Sequence, residues 1–549
     1  MQFCTLIRVF VLLTYKWLVS VQGANILFIH PLFAGSHIAL MRTIGESLVS
    51  RGHNVTIISF KQVNTPLKVS TTNQIQLPIL DKLKICGNYI NEEGEFDLNI
   101  RLAPALWETG SFMSFHTTDL GCTAFSACDT FFESQILKDL MKSVRFDLAL
   151  VDLKGNECGF KWISSFNIPT TAFWGLSFVG ANSNLMRVGP NPFQCPQTLS
   201  RNGQKMSFMD LIRNLYLFCF EYVLIRYFQH AIPDMYSVEG RSCPKLEDLY
   251  ENLEMIFVAS GPLFEVPRHI APVLKQIPGL TIKQSSTSNY LYSEALDFLS
   301  RSPRGVILFS LGQTGVGGGS HISMEFKRKL IEALKLTPFN AIIHLDPRQL
   351  DQELKDPSRF FFGKWLPNQE ILAHSNTRVF LSHVGLASFQ EAMFHNVPIV
   401  AMPTFEDQFE IAKTIEDRGI GEVIWNKATI TSIEISHKVV EVANNPKYLH
   451  NMKHHSQLFR TFLAHSPPLE EVVFWMETIL EQGNLNPIKM KNTRLNFLVE
   501  VICFSIIVSI LVTGFAIFKF VTIALKMRIR QTVSIITASI CGSQNEKHE

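Results

Sequence analysis

Charge is scarce in this chain of 549 residues. Asp, Glu, Lys and Arg make up 18% of it, and 50 basic residues against 48 acidic ones leave a net charge of +2. No surplus of either sign marks an electrostatic footprint for nucleic acid. A hydrophobic fraction of 46% excludes a largely disordered chain. No C-x-x-C occurs, so neither a zinc ribbon nor a dithiol redox motif is spelled out. No D-x-D occurs either, the carboxylate pair with which many transferases hold a metal and a nucleotide-sugar. No repeat with a period of 20–50 residues is visible, which excludes solenoids and propellers. At roughly 100–200 residues per domain, the length allows two to four domains.

The apolar excess, a mean hydropathy of +0.14, asks for a membrane segment, and both ends offer one. Leu495–Phe518 carries a single charge, Glu500, and is long enough to cross ~30 Å of hydrocarbon as a helix. Lys519, Lys526, Arg528 and Arg530 follow, which suits a cytosolic tail. At the N-terminus Arg8 precedes the apolar run Val9–Tyr15, Lys16 interrupts it, and Val21 and Gly23 stand at −3 and −1 of a cut before Ala24. Residues 1–23 thus read as a secretory signal, and the chain as a type I single-pass protein whose bulk lies in the lumen or outside. Seven cysteines lie between Ala24 and the span: Cys86, Cys122, Cys128, Cys158, Cys195, Cys219 and Cys243. They fit an oxidising compartment, and an odd number cannot all pair within the chain.

Between the ends, short apolar runs alternate with helical spacing. Asn25–His30, a helix over Ile38–Val49 and Val55–Phe60 make one βαβ unit. Phe146–Asp152 and Ile168–Trp174 are further strands, with a helix expected over Thr130–Ser143. The pattern restarts at Gly305–Leu311, followed by a helix capped by Ser323. The runs Ala341–Leu345, Phe360–Trp365, Arg378–Ser382 and Pro398–Met402 continue it. Two doubly wound α/β domains follow from this alternation, and such sheets bind ligands at the carboxyl ends of their strands. The stretch 276–289 reads as the linker. Ser207–Ile232 is a long helix, apolar nearly all round, that is either fully buried or turned toward a ligand or membrane.

Three segments carry chemistry. In Phe380–Glu391 a strand runs through Ser382 and His383 into a turn at Gly385 and a helix bearing Ser388 and Glu391, a geometry suited to phosphate. Gly35-Ser36-His37 follows the first strand, and Asp152 ends another strand of the same domain. A carboxylate that orients a neutral imidazole makes a general base. Phe309–Ser320 is a second glycine-rich loop, but its third glycine position is Ser320 and no acidic strand end accompanies it, so a nicotinamide fingerprint is disfavoured. His450, His454 and His455 lack a Cys or carboxylate to complete a metal set and read as a solvated helix face.

Residues 365–408, WLPNQEILAHSNTRVFLSHVGLASFQEAMFHNVPIVAMPTFEDQ, strongly resemble the signature of the UDP-glycosyltransferases, the membrane-bound UDP-glucuronosyl- and glucosyltransferases of animals. F-S-L-G at Phe309–Gly312, G-S-H at Gly35–His37, V-F-W at Val473–Trp475 and the terminal anchor extend the resemblance over nearly the whole chain. It implies a GT-B fold: two Rossmann-like domains facing across a cleft, plus a C-terminal transmembrane helix. Residues 24–282 would then bind the acceptor, 283–494 the UDP-sugar, 495–518 would span the membrane and 519–549 would be cytosolic. Carried over by position, Trp365 stacks on uracil, with the amide of Asn368 or Gln369 beside it. Ser310, Gly312, His383, Gly385 and Ser388 surround the diphosphate, Glu391 holds the ribose, and Asp407 and Gln408 hold the sugar. His37 deprotonates a hydroxyl of a small lipophilic acceptor, Asp152 stabilises the imidazolium, and the sugar is transferred with inversion.

No cofactor or metal is implied, and no nucleic-acid partner; a homo-oligomer stays open. Residence in the endoplasmic reticulum, with the catalytic domains lumenal, also follows from the resemblance. The departures matter. Gln313 stands where a serine is usual, Asn368 precedes Gln369 where Gln is usual, and Glu406 replaces the usual glycine before Asp407. Glu406 disfavours a donor carrying a carboxylate, such as UDP-glucuronate, unless Arg268 or another cation compensates. The alternative is a catalytically weak relative that binds UDP-sugar or a lipophilic ligand.

Overall fold

The structure, a computed structural model, describes residues 23–30, 35–60, 73–77, 117–177, 192–193, 195–197, 200–203, 205–224, 231–238, 244–282, 293–312, 322–404, 406–489 and 494–545. The signal-sequence reading, Gln313 with the glycine-rich stretch after it and the second half of the expected linker, residues 283–289, lie outside the described residues. Two units are distinct in the chain, residues 1–489 and residues 490–549.

The first unit contains two wholly parallel sheets. The N-terminal sheet is built of β1 (Asn25–Ile29), β2 (Asn54–Phe60), β3 (Asn73–Leu77), β4 (Leu148–Asp152), β5 (Thr170–Trp174), β6 (Ile256–Val258) and β7 (Leu274–Gln276), in the spatial order β3-β2-β1-β4-β5-β6-β7. The C-terminal sheet, β8 (Val306–Ser310), β9 (Asn340–Ile343), β10 (Phe360–Phe362), β11 (Thr377–Ser382), β12 (Ile399–Ala401) and β13 (Gly421–Val423), has the order β10-β9-β8-β11-β12-β13. Strands β1, β4, β8 and β11 are buried along nearly their whole length, as parallel strands covered on both faces must be. In each sheet the order reverses between two central strands, β1 and β4 or β8 and β11, which opens a crevice beyond their carboxyl ends.

The helices that matter here are α1 (Gly35–Ser50), α2 (Thr117–Glu133), α3 (Gln135–Ser143), α4 (Glu157–Ser164), α5 (Phe208–Leu224), α6 (Met324–Lys335), α7 (Asn368–Ala373), α8 (Leu386–Phe394), α9 (Gln408–Asp417) and α10 (Pro468–Gln482). Ser323 caps α6 as expected, accepting from the Phe326 N–H. The single helix expected over Thr130–Ser143 is two. Ser134 breaks it, because its hydroxyl caps α3 by accepting from the Leu137 N–H. Cys128 on α2 and Cys158 on α4 form a disulfide, while Cys195 and Cys219 are free thiols. Helix α5 is not fully buried: Met209, Ile212 and Tyr216 are exposed on one face.

The two sheets are welded rather than merely tethered. Phe264, from the loop between β6 and β7, meets Phe389 of α8 and Phe459 edge to face at 5.4 and 4.8 Å. The Gln390 side chain accepts from Gly279 N–H at 2.9 Å and donates to the Ala259 carbonyl at 2.7 Å. Arg51 at the end of α1 pairs with Glu470 and Glu477 of α10. The second unit is one helix, α11 (Arg494–Asn545). Its stretch Ser509–Val533 is long and apolar enough to cross a membrane, and the helix continues well past the expected end of the span at Phe518.

Candidate active site

Both crevices carry a histidine just beyond a switch-point strand. In the N-terminal half, α1 begins after β1 and presents His37 from its first turn. Its Nδ1 lies 2.8 Å from Asp152 Oδ2 at the end of β4, and both side chains are buried. The other carboxylate oxygen accepts the Lys154 N–H at 2.8 Å. An ionised carboxylate only accepts, so Nδ1 is the donor of this bond. Gly175, just after β5, packs on the ring: a Cβ there would lie 2.6–2.7 Å from Cδ2, Cγ and Nε2 of His37. Only glycine lets the β5 end approach so closely.

In the C-terminal half, Ser310 and Ser382 are register partners at the ends of β8 and β11, and His383 follows. Its ring is buried, which lowers its pKa to about 4, so it is a neutral imidazole at physiological pH. Nδ1 has no hydrogen-bond partner among the described residues. Gly312 and Gly385 flank the ring, each with a Cβ position 2.7 Å from one of its atoms. Val384 sits at φ 57°, a strained conformation for a β-branched residue, and donates its N–H to Ser382 Oγ at 3.0 Å. Gly385 is the N-cap of α8 and no side chain caps the helix, which leaves the first-turn N–H groups available to an anion. Ser388 is half-buried on that turn.

Ser310 is organised by a residue the sequence reading missed. His344 Nε2 lies 2.9 Å from the Lys364 carbonyl and its Nδ1 lies 2.9 Å from Ser310 Oγ. The carbonyl requires a proton on Nε2, so Nδ1 accepts the Ser310 hydroxyl proton. Ser310 Oγ in turn accepts from Asn368 Nδ2 at 3.2 Å and Gly312 N–H at 3.4 Å. Asn368 Oδ1 is buried without a partner among the described residues. Gln369 Nε2 is engaged with the Thr281 carbonyl at 3.2 Å and Glu391 Oε1 at 3.4 Å. The Trp365 ring is 57% exposed, open for stacking.

At the head of α9 the halves meet. Asp407 is buried and accepts the N–H of Ser177, from the loop after β5, at 3.2 Å. Burial pushes its carboxyl up to about 7; Glu406 and Glu410 add to this, while the Ser177 bond and nearby His37 oppose it. Gln408 Oε1 accepts from Thr404 N–H and Oγ at 2.8 and 2.7 Å. Arg268 does not serve Glu406; it pairs with Glu410 at 3.3 Å. The cation on Glu406 is Lys154. Lys154, Gly175, Ser177 and His344 were all missed, although each follows a strand's carboxyl end, the rule that found His37 and His383.

Two parallel sheets of this order, packed together in one unit, have the Rossmann-like layout of the GT-B fold. Solved structures agree at the level of the fold. A UDP-glucosyltransferase from Polygonum tinctorium matches with a TM-score of 0.54 and 17% identity over 83% of this chain and 99% of that one. Os79 from O. sativa in complex with UDP matches with a TM-score of 0.53 and 15% identity over 82% and 99%. The model of the family UDP-glucoronosyl and UDP-glucosyl transferase matches residues 25–533, and the chain belongs to that family of UDP-sugar glycosyltransferases. Among its relatives, 2-hydroxyacylsphingosine 1-beta-galactosyltransferase of Rattus norvegicus is 22% identical over 96% of this chain and 93% of its own length. UDP-glucosyltransferase 2 of Dactylopius coccus is 26% identical over 91% and 93%. UDP-glucuronosyltransferase 2B15 of Homo sapiens is 26% identical over 89% and 92%.

Proposed function

We propose that this chain transfers a neutral hexose from its UDP-sugar to a hydroxyl of a small lipophilic acceptor, with inversion at the anomeric carbon. The observation that carries this reading is the buried His37–Asp152 pair facing Asp407 from the opposite half. His37 Nε2 takes the hydroxyl proton as the oxygen attacks the anomeric carbon. The bond to UDP breaks with its electron pair leaving on the phosphate, and Asp152 stabilises the imidazolium that forms. The uncapped first turn of α8, together with neutral His383, meets the diphosphate as dipoles aimed at the departing charge, and no metal is required. Asp407 accepts from sugar hydroxyls.

The preference for a neutral sugar rests on local charge. Lys154 is one cation among Glu406, Glu157 and Asp407, so a carboxylate on the donor enters a field that is negative on balance. We also place the chain in the endoplasmic reticulum membrane with both Rossmann halves lumenal, supported by the C-terminal apolar helix and by the disulfide. The test is a panel of UDP-sugars and phenolic or aliphatic alcohols with membranes containing the full chain, in the presence and absence of EDTA. A β-linked hexoside formed equally well in EDTA is the expected product; a retained anomer or a requirement for manganese overturns the mechanism. Failure of every donor to react, with UDP-sugar still bound, would leave the binding-protein reading in its place.

A further inference from the structure

Glu406 occupies a backbone conformation that its side chain does not favour. Its φ is +45°, the left-handed region that ordinarily selects glycine or asparagine because a Cβ there crowds the following carbonyl. Such a residue persists where its surroundings over-determine it. Among the described residues, what holds the Glu406 side chain is an ion pair that crosses from one Rossmann half to the other: Lys154 Nζ binds Glu406 Oε1. Lys154 is itself anchored two residues beyond Asp152, whose Oδ1 accepts its N–H at 2.8 Å. The neighbouring Asp407 makes the second crossing, to Ser177 N–H at 3.2 Å. One two-residue segment therefore ties the sugar end of the C-terminal half to the loops after β4 and β5. One of those loops begins at the carboxylate that orients His37.

We propose that Lys154 and Glu406 form a latch between the two halves, in which Lys154 is a positioning residue that sets Asp407 against the His37–Asp152 pair. The inference rests on reading Asp407 as the sugar-binding carboxylate. The latch explains why glutamate is tolerated at a left-handed position: the ion pair offsets the backbone cost and fixes the entry into α9. It is partly desolvated, with side-chain exposures of 24% for Lys154 and 11% for Glu406, so it resists salt more than a surface pair does. Among the described residues it shares no hydrogen bond with Ser310 or Gly312, so its loss uncouples sugar positioning from nucleotide binding.

The experiment uses the full chain in lipid nanodiscs and five forms: wild type, Lys154→Arg, Lys154→Glu, Glu406→Lys and the charge-swapped double variant. Three quantities are read: kcat/KM for the UDP-sugar, the Kd of UDP alone, and hydrogen exchange of residues 404–408. Each charge reversal is expected to lower kcat/KM about tenfold or more. The swap returns it to within about threefold of wild type, Lys154→Arg stays within about threefold, and UDP affinity stays within about twofold throughout. Exchange at 404–408 rises in the two reversals and falls back in the swap. A swap no better than the worse single variant, or unchanged exchange in the reversals, overturns the latch. Exchange decides this whether or not sugar is transferred, so a wild type that transfers no sugar counts against the functional reading and not against the latch.

Discussion

His37 and His383 both lie beyond a strand that flanks a switch point, His37 after the first of its pair (β1 of β1 and β4) and His383 after the second (β11 of β8 and β11), and their surroundings suit different chemistry. His37 follows β1 and is given a buried carboxylate at the end of the adjacent strand. His383 follows β11 and is given none; its strand neighbour ends in Ser310, whose hydroxyl is turned to His344. A carboxylate on Nδ1 lets an imidazole take up a proton and pass through a charged state. Burial without one holds His383 near a pKa of 4, as a neutral dipole that never takes the proton. The two strands of a switch point thus carry a carboxylate-paired imidazole in one half and a buried neutral one in the other. What separates them is one residue at the end of the neighbouring strand.

Alanine breaks this comparison most sharply. His37→Ala is expected to lower kcat by ~10²–10⁴ through loss of a general base, while the Kd of UDP moves less than about twofold. His383→Ala is expected to weaken UDP by about tenfold and to lower kcat far less than His37→Ala does. Single-turnover kinetics with UDP titration separate the two. Equal losses of kcat would mean that the halves are not functionally distinct.

The glycines sharpen it next. Gly175→Ala sets a methyl 2.6–2.7 Å from three ring atoms of His37 and displaces the ring from Asp152, which should cost about 10² in kcat. Gly312→Ala presses on His383 from a φ of 66° and is expected to act on UDP affinity instead. A Gly175→Ala enzyme with normal kcat would show that the ring does not need its present seat.

How much of this was legible in the sequence follows from the kind of residue involved. Strands β1, β2, β4, β5 and β8 to β12 announce themselves as apolar runs because both faces are covered. The edge strand β3, with the sequence NQIQL, and the short strands β7 (LKQ) and β13 (GEV) do not. They exist because a neighbouring strand supplies the ladder, not because of local preference. His37, Asp152 and His383 were found as chemical residues at strand ends. Lys154 and Ser177 escaped because their roles depend on partners about 250 and 230 positions away, and His344 because its role is to orient another side chain. The compensating cation for Glu406 was foreseen as a need but not as Lys154.

Acidity offers a gentler test. The two halves meet at Asp407, whose pKa of about 7 lies above the ordinary carboxylate value near 4. The folded protein therefore binds this proton more tightly than the unfolded chain. Its contribution to stability is full below about pH 4 and is lost as pH rises through 7. Asp407→Asn should flatten the dependence of Tm on pH across that window. In the proposed function Asp407 accepts from the sugar as an ionised carboxylate, so kcat/KM for the donor should fall on the acid side of about pH 7. Glu406→Gln removes one of the charges that raise Asp407 and should move the limb to lower pH; a limb set elsewhere stays in place.

The smallest expected effect concerns the donor and sets Lys154 against Glu406 directly. A carboxylate at sugar carbon six, ~4 Å from a second carboxylate in a wet cleft, costs on the order of 1 kcal/mol, or about a factor of five to ten. Because Lys154 neutralises Glu406 in part, the penalty in this chain should be smaller than that. Glu406→Gly removes the carboxylate, relieves the positive φ and frees the Lys154 ammonium beside Asp407. It also opens the latch, so kcat/KM should fall for every donor. The ratio of UDP-glucuronate to UDP-glucose divides out that common loss and isolates the charge. It should rise several-fold. An unchanged ratio would mean that the sugar's carbon six lies outside the field of this pair, and the preference for a neutral hexose would lose its physical basis.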